Sequence, residues 1–169
     1  MVQKSILGKT GLKISRLGLG LAEIPRHSKS AKDIYSASIV LNTALDCGIN
    51  FLDTAACYGN TEEMIGNTVA HRRDEYVLAT KCGHVVGAFD GFDWSGETIV
   101  YSIERSLKRL KTDYLDLIQL HSCSINILEQ GDVIEQLVSA SDSGKTRFIG
   151  YSGDNDATNW AVNSGIFDT

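Results

Sequence analysis

The stretch Gly18-Leu19-Gly20-Leu21-Ala22-Glu23 decides between two parallel α/β architectures. An open dinucleotide-binding sheet carries G-x-G-x-x-G directly after its first strand, and a helix starts on the last glycine. Here the first two glycines are in place, but Glu23 stands where the third belongs. No apolar helical period follows at once. The stretch reads instead as the end of a short strand, residues 16–20. On its N-terminal side, short apolar segments flank Gly8 and Gly11 in Ser5-Ile6-Leu7-Gly8-Lys9-Thr10-Gly11-Leu12-Lys13-Ile14, a pattern that predicts a small hairpin.

On its C-terminal side the pattern alternates. Residues 31–47 carry Ile34, Ala37, Val40, Leu41 and Ala44 at helical spacing, stopped by Gly48. Residues 49–53 form a short strand, 61–70 a helix and 76–81 a strand. Ser95 is placed to cap a helix bearing Ile99, Val100, Ile103, Leu107 and Leu110. A strand at 114–121, a helix at 127–143 ended by Gly144, a strand at 147–152 and a last helix at 154–164 complete the series. Strand and helix repeating at roughly 30-residue spacing mean βα units on a parallel sheet. The expected fold is α/β: a (β/α)8 TIM barrel represented by the hairpin and roughly the first five βα units, all in one domain over residues 1–169 that is incomplete at its C-terminus. The doubly wound open sheet is the runner-up.

Composition narrows the function classes. At 43% apolar and 22% charged residues the chain reads as an ordinary globular protein, and a net charge of -5 argues against electrostatically driven nucleic-acid binding. No apolar run reaches the roughly 18 to 20 residues that span a membrane, and Met1-Val2-Gln3-Lys4-Ser5 opens no secretory signal. Cys47, Cys57, Cys82 and Cys123 form no C-x-x-C pair and no zinc spacing. The reading is a cytoplasmic protein with reduced thiols and no bound metal.

The first reactive side chains at successive strand ends are Asp53, Lys81, His121 and Ser152, with Tyr58 in the loop after Asp53. In a barrel these ends share one face, where active sites are built. Taken singly, an Asp there caps a helix, a Lys is a solvated charge, a His satisfies the core and a Tyr packs a loop. An acid, a phenol, a cation and an imidazole arriving together from separate strands make those plain readings jointly improbable.

Phe51-Leu52-Asp53-Thr54-Ala55-Ala56-Cys57-Tyr58-Gly59-Asn60-Thr61-Glu62 closely resembles the aldo-keto reductase signature, an Asp followed five residues later by Tyr-Gly. Leu78-Ala79-Thr80-Lys81 is similar to that family's lysine strand, Tyr114-Leu115-Asp116-Leu117-Ile118-Gln119-Leu120-His121 to its histidine strand, and Leu7–Ser15 to its N-terminal hairpin. The resemblance implies that Tyr58 protonates the carbonyl oxygen as hydride arrives. It implies that Lys81 hydrogen-bonds the phenol, Asp53 pairs with Lys81, and His121 orients the carbonyl or assists proton transfer. The chemistry is coherent: a free phenol ionises near a pKa of about 10, too weak an acid at neutral pH, and a nearby ammonium favours its phenolate. Hydride transfer belongs to a cofactor, by resemblance NADPH with NADH the alternative, and Gly20, Ser152 and Asn155 are the positions expected to contact it. The implied partner is a small carbonyl or alcohol substrate. Neither nucleic acid nor membrane is expected.

Departures from the family pattern shape further expectations. A full barrel takes roughly 250 residues, so a fragment of a longer protein is the favoured reading; a short protein that closes its barrel by self-association through its open edges is the other. Gly153 follows Ser152 where many family members have Asn. Cys57, Cys82 and Cys123 flank Tyr58, Lys81 and His121 with His84 near, a weak suggestion of a metal or redox site. The loop at 82–93, with Phe89, Phe92 and nearby Trp94, is a candidate apolar pocket. The competing function is a catalytically silent regulatory or truncated module.

Overall fold

The computed structural model describes residues 2–23 and 31–169. Two short strands, β1 (Lys4–Ile6) and β2 (Lys13–Ser15), pair antiparallel as the expected hairpin. The main sheet has β3 (Leu19–Gly20), β4 (Phe51–Asp53), β5 (Val77–Cys82), β6 (Leu115–His121) and β7 (Thr146–Ser152). All pairings are parallel and the spatial order β3-β4-β5-β6-β7 is the chain order. A doubly wound sheet reverses its order part-way along. An unreversed order with right-handed crossovers keeps every connecting helix on one side, as in consecutive staves of a (β/α) barrel.

Those crossovers run through α1 (Ala31–Asp46), α2 (Thr61–Thr68) with a tight turn at Ala70–Glu75, α3 (Gly96–Leu110), the pair α4 (Ile125–Gln130) and α5 (Asp132–Asp142), and finally α6 (Asn155–Ser164). β5 is buried at every position, as expected of a strand covered on both faces. Leu41, Leu52, Ile65, Leu78, Ile99 and Ile118 are fully buried between sheet and helices. Ser95 caps α3 as expected, its hydroxyl accepting from the Thr98 N–H at 3.3 Å. α2 and α3 approach closely at Gly66, where a Cβ would strike the Arg109 carbonyl.

One expected element is divided. The single helix at 127–143 is two helices, because Gly131 adopts φ +83 between them. That left-handed geometry ends α4, and the Asp132 carboxylate opening α5 accepts from the Gly96 N–H at 2.7 Å. The apolar period runs on through the break and conceals it.

The hairpin closes the opposite end from the site. Leu12 and Ile14 pack on Val77, Phe51 and Phe148, all at or near strand starts, and Asn50 Oδ1 accepts from the Ser15 N–H at 2.6 Å. With the strand starts covered, the C-terminal strand ends are left for chemistry.

Candidate active site

Strand register sets the site. Asp53 lies opposite Ala79, Lys81 opposite Gln119, and His121 opposite Ser152. Side chains alternate along a strand, so Ala79 and Lys81 share a face, as do Gln119 and His121. Asp53, Lys81, His121 and Ser152 therefore converge on one face at the strand ends.

Lys81 is the centre of this arrangement. Its side chain is only 6% exposed, yet its ammonium donates to Asp53 Oδ1 at 2.8 Å, Asp53 Oδ2 at 2.9 Å and the Thr54 carbonyl at 2.9 Å. A buried ammonium has three N–H groups to satisfy, and these acceptors fix it beside the Tyr58 ring, whose centroid is 5.2 Å from Nζ. The His121 ring meets the Tyr58 ring edge-on at 6.1 Å. Gln119 Nε2 donates to Asp53 Oδ1 at 3.2 Å. This residue was not among the sequence candidates, although its place two positions before His121 puts it on the same face.

His121 is half-buried, and burial, followed by the charges of His84 and Lys81, pushes its pKa from 6.5 down to about 4 against the pull of Asp53. The imidazole is neutral at physiological pH. NMR titration of His121 is expected to show a midpoint near 4, and His84→Ala should raise it by removing one opposing charge. The folded chain takes up this proton later than the unfolded chain. Stability should therefore fall as pH drops from about 6.5 toward 4, a limb that His121→Asn removes. A midpoint near 6.5 would contradict this description of the site.

The remaining candidates divide. Gly20 pairs with Asp53 at the end of β3, and a Cβ built there meets nothing within 4 Å. Ser152 lies beside His121. Asn155 is exposed at φ +56 and lines a groove with Trp94, Ser122, Ile125 and Ala157. From the loop between β5 and α3, His84 and Trp94 reach the site: the His84 ring lies 5.2 Å from that of His121, and the Trp94 indole N–H donates to the His121 carbonyl at 2.8 Å, with its ring 5.1 Å from that of His84. Phe89 stacks on Tyr101 and Phe92 is 83% exposed. A groove of about 740 Å³ lies over α3 and the start of α5 and includes none of the strand-end residues.

All four cysteines are free thiols. Cys57 is exposed with Sγ 3.6 Å from His121 Nδ1. Cys82 and Cys123 are buried, and burial raises both, Cys123 to about 11, so neither forms thiolate near neutral pH. Among the described residues no group of three or more His, Cys, Asp or Glu is arranged to hold a metal ion, and no helix is long and apolar enough to cross a membrane.

The model of the Aldo/keto reductase family matches residues 16–162. L-galactose dehydrogenase of Arabidopsis thaliana is 37% identical over 160 residues, 90% of this chain and 49% of its own length. The 6-dehydroglucose reductase of Novosphingobium aromaticivorans is 33% identical over 157 residues, 86% of this chain and 50% of its own. Among solved structures, an aldo-keto reductase of Bacillus halodurans in its holo form superposes with a TM-score of 0.80 at 32% identity, covering 90% of this chain and 51% of that one. The chain thus spans about half the length of the curated relatives it matches.

Proposed function

The chain belongs to the aldo/keto reductase family, and from that premise we propose that it forms the proton-donating half of a (β/α)8 barrel that reduces aldehydes or ketones, or oxidises the corresponding alcohols, with a nicotinamide cofactor. The observation that carries this reading is the buried Lys81 ammonium, clamped by Asp53 and Thr54 beside Tyr58 and His121. A charge so well held is preorganised for proton chemistry at a neighbouring phenol.

Tyr58 is the general acid that gives its proton to the carbonyl oxygen. Lys81 supplies the adjacent positive charge and Asp53 keeps it in place. His121, neutral near pH 7, orients the carbonyl by hydrogen bonding. The cofactor supplies the hydride when bound. The donor set suits its nicotinamide end: the Ser152 hydroxyl would hold the amide, and the open space over Gly20 leaves room on the same face. NADPH is the cofactor proposed, with NADH second. Both curated relatives described above are named for sugars, which favours a sugar-like, hydroxyl-rich carbonyl compound as substrate. The test is titration with NADPH, followed by carbonyl-dependent consumption of the nucleotide. Binding at the strand ends and Tyr58-dependent turnover are expected; turnover without need of Tyr58 would overturn the assignment of the acid.

A further inference from the structure

Beneath the site lies a charged cluster that the reaction itself does not use. Glu62, in the first turn of α2, is fully buried. Its Oε1 accepts from the Thr80 hydroxyl at 2.8 Å. Its Oε2 lies 3.7 Å from Arg109 Nη1 and 3.9 Å from Arg105 Nη1, both arginines on α3. Thr80 precedes Lys81, so its side chain faces the helices while that of Lys81 faces the site. The two guanidiniums also reach the loop that carries Tyr58. Arg109 Nη2 donates to the Gly59 carbonyl at 2.5 Å, and Arg105 Nη1 to the Ala56 carbonyl at 3.4 Å. Tyr58 sits between these two held carbonyls. The same loop is tied to the lysine strand by the Ala56 N–H, which donates to the Lys81 carbonyl at 3.1 Å.

We propose that Glu62, with Arg105 and Arg109, is a positioning unit that fixes the Tyr58 loop against the lysine strand. A buried carboxylate costs desolvation that its ion pairs seldom repay, and an apolar replacement of similar volume is commonly as stable. Helix packing alone therefore does not call for Glu62 here. Its placement is explained by what its arginines hold: without the carboxylate, the largely buried Arg109 would keep as counter-charge the more exposed Glu63, 3.4 Å from its Nε, which would draw the guanidinium outward and loosen its grip on Gly59. The unit touches no substrate and acts only through Tyr58. The inference rests on the reading of Tyr58 as the acid for its functional meaning, though its geometry can be measured without turnover.

The test is NMR on the full 169-residue chain with labelled tyrosine, assigned through Tyr58→Phe, together with hydrogen exchange at the Tyr58 and Thr61 amides. Glu62→Gln and Arg109→Lys are compared with Leu137→Ala, a core change in α5 that lowers stability elsewhere. Both site variants should shift the Tyr58 ring resonance and speed exchange of the two amides on the order of tenfold relative to Leu137→Ala. Any turnover that the chain or a longer protein containing it shows should lose kcat on the order of a hundredfold, with KM little changed. Unchanged Tyr58 resonances and exchange in both variants would overturn the proposal, whatever happens to stability. If Glu62→Gln does not fold, Thr80→Val, which removes one hydrogen bond and no charge, reads the same signals. Retained turnover in Tyr58→Phe would refute the acid assignment while leaving this geometric result to stand or fall separately.

Discussion

Tyr58→Phe is expected to abolish carbonyl reduction while leaving the fold intact. The ring is only partly buried, and the change deletes one hydroxyl, so packing against His121 and the approach of Lys81 are preserved. What is lost is the proton that the carbonyl oxygen must receive. General acid catalysis contributes typically 10²–10⁴-fold, so turnover should fall by about that factor, with circular dichroism and melting temperature near those of the parent chain. Retained turnover would remove Tyr58 from the mechanism.

Asp53→Asn is expected to have the largest effect on stability. It leaves the Lys81 ammonium, 6% exposed, without its counter-charge. Breaking a buried pair in this way costs about 3–5 kcal/mol, and the 33% exposure of Asp53, which lets water reach the gap, places this case at the lower end. Lys81→Met is expected to cost less, although it breaks the same pair. It removes the buried charge itself and leaves a carboxylate that water and Gln119 can still solvate. Urea denaturation of the two variants measures the difference. Equal losses would mean that burial of the lysine does not govern the pair. Both variants should lose turnover, since either change removes the organised charge beside Tyr58.

Much of this architecture was legible in the sequence because strand ends punctuate a parallel sheet. Asp53, Lys81 and His121 each follow an apolar run, and a polar side chain at the end of a buried strand stands out against it. Ser95 was readable as a cap because its hydroxyl acts on a residue three positions away. The break between α4 and α5 was not readable, since Gly131 interrupts the backbone without interrupting the apolar period. Glu62 was equally hidden: in sequence it is an acid in the first turn of a helix, normally solvated and favourable to the helix dipole. Only the packing of α2 against α3 and β5 buries it among arginines 43 and 47 positions further along. Gln119 lacked a signal of its own, because an amide inside an apolar strand gains meaning only once Asp53 is known to face it. Asn155 was marked as a cofactor candidate by its nearness to Ser152 in sequence; the backbone turns at Asp154 and Asn155 to start α6 and sets it in a groove shared with Trp94 and Ser122.

The measurement that tests the central claim most directly is an NMR titration of the isotope-labelled chain with NADPH. Saturable perturbations are expected, concentrated at Gly20, Tyr58, His121 and Ser152, the residues of one strand-end face. Perturbations confined to the groove over α3 and the start of α5, or none from folded chain, would contradict the claim that this face receives the nicotinamide.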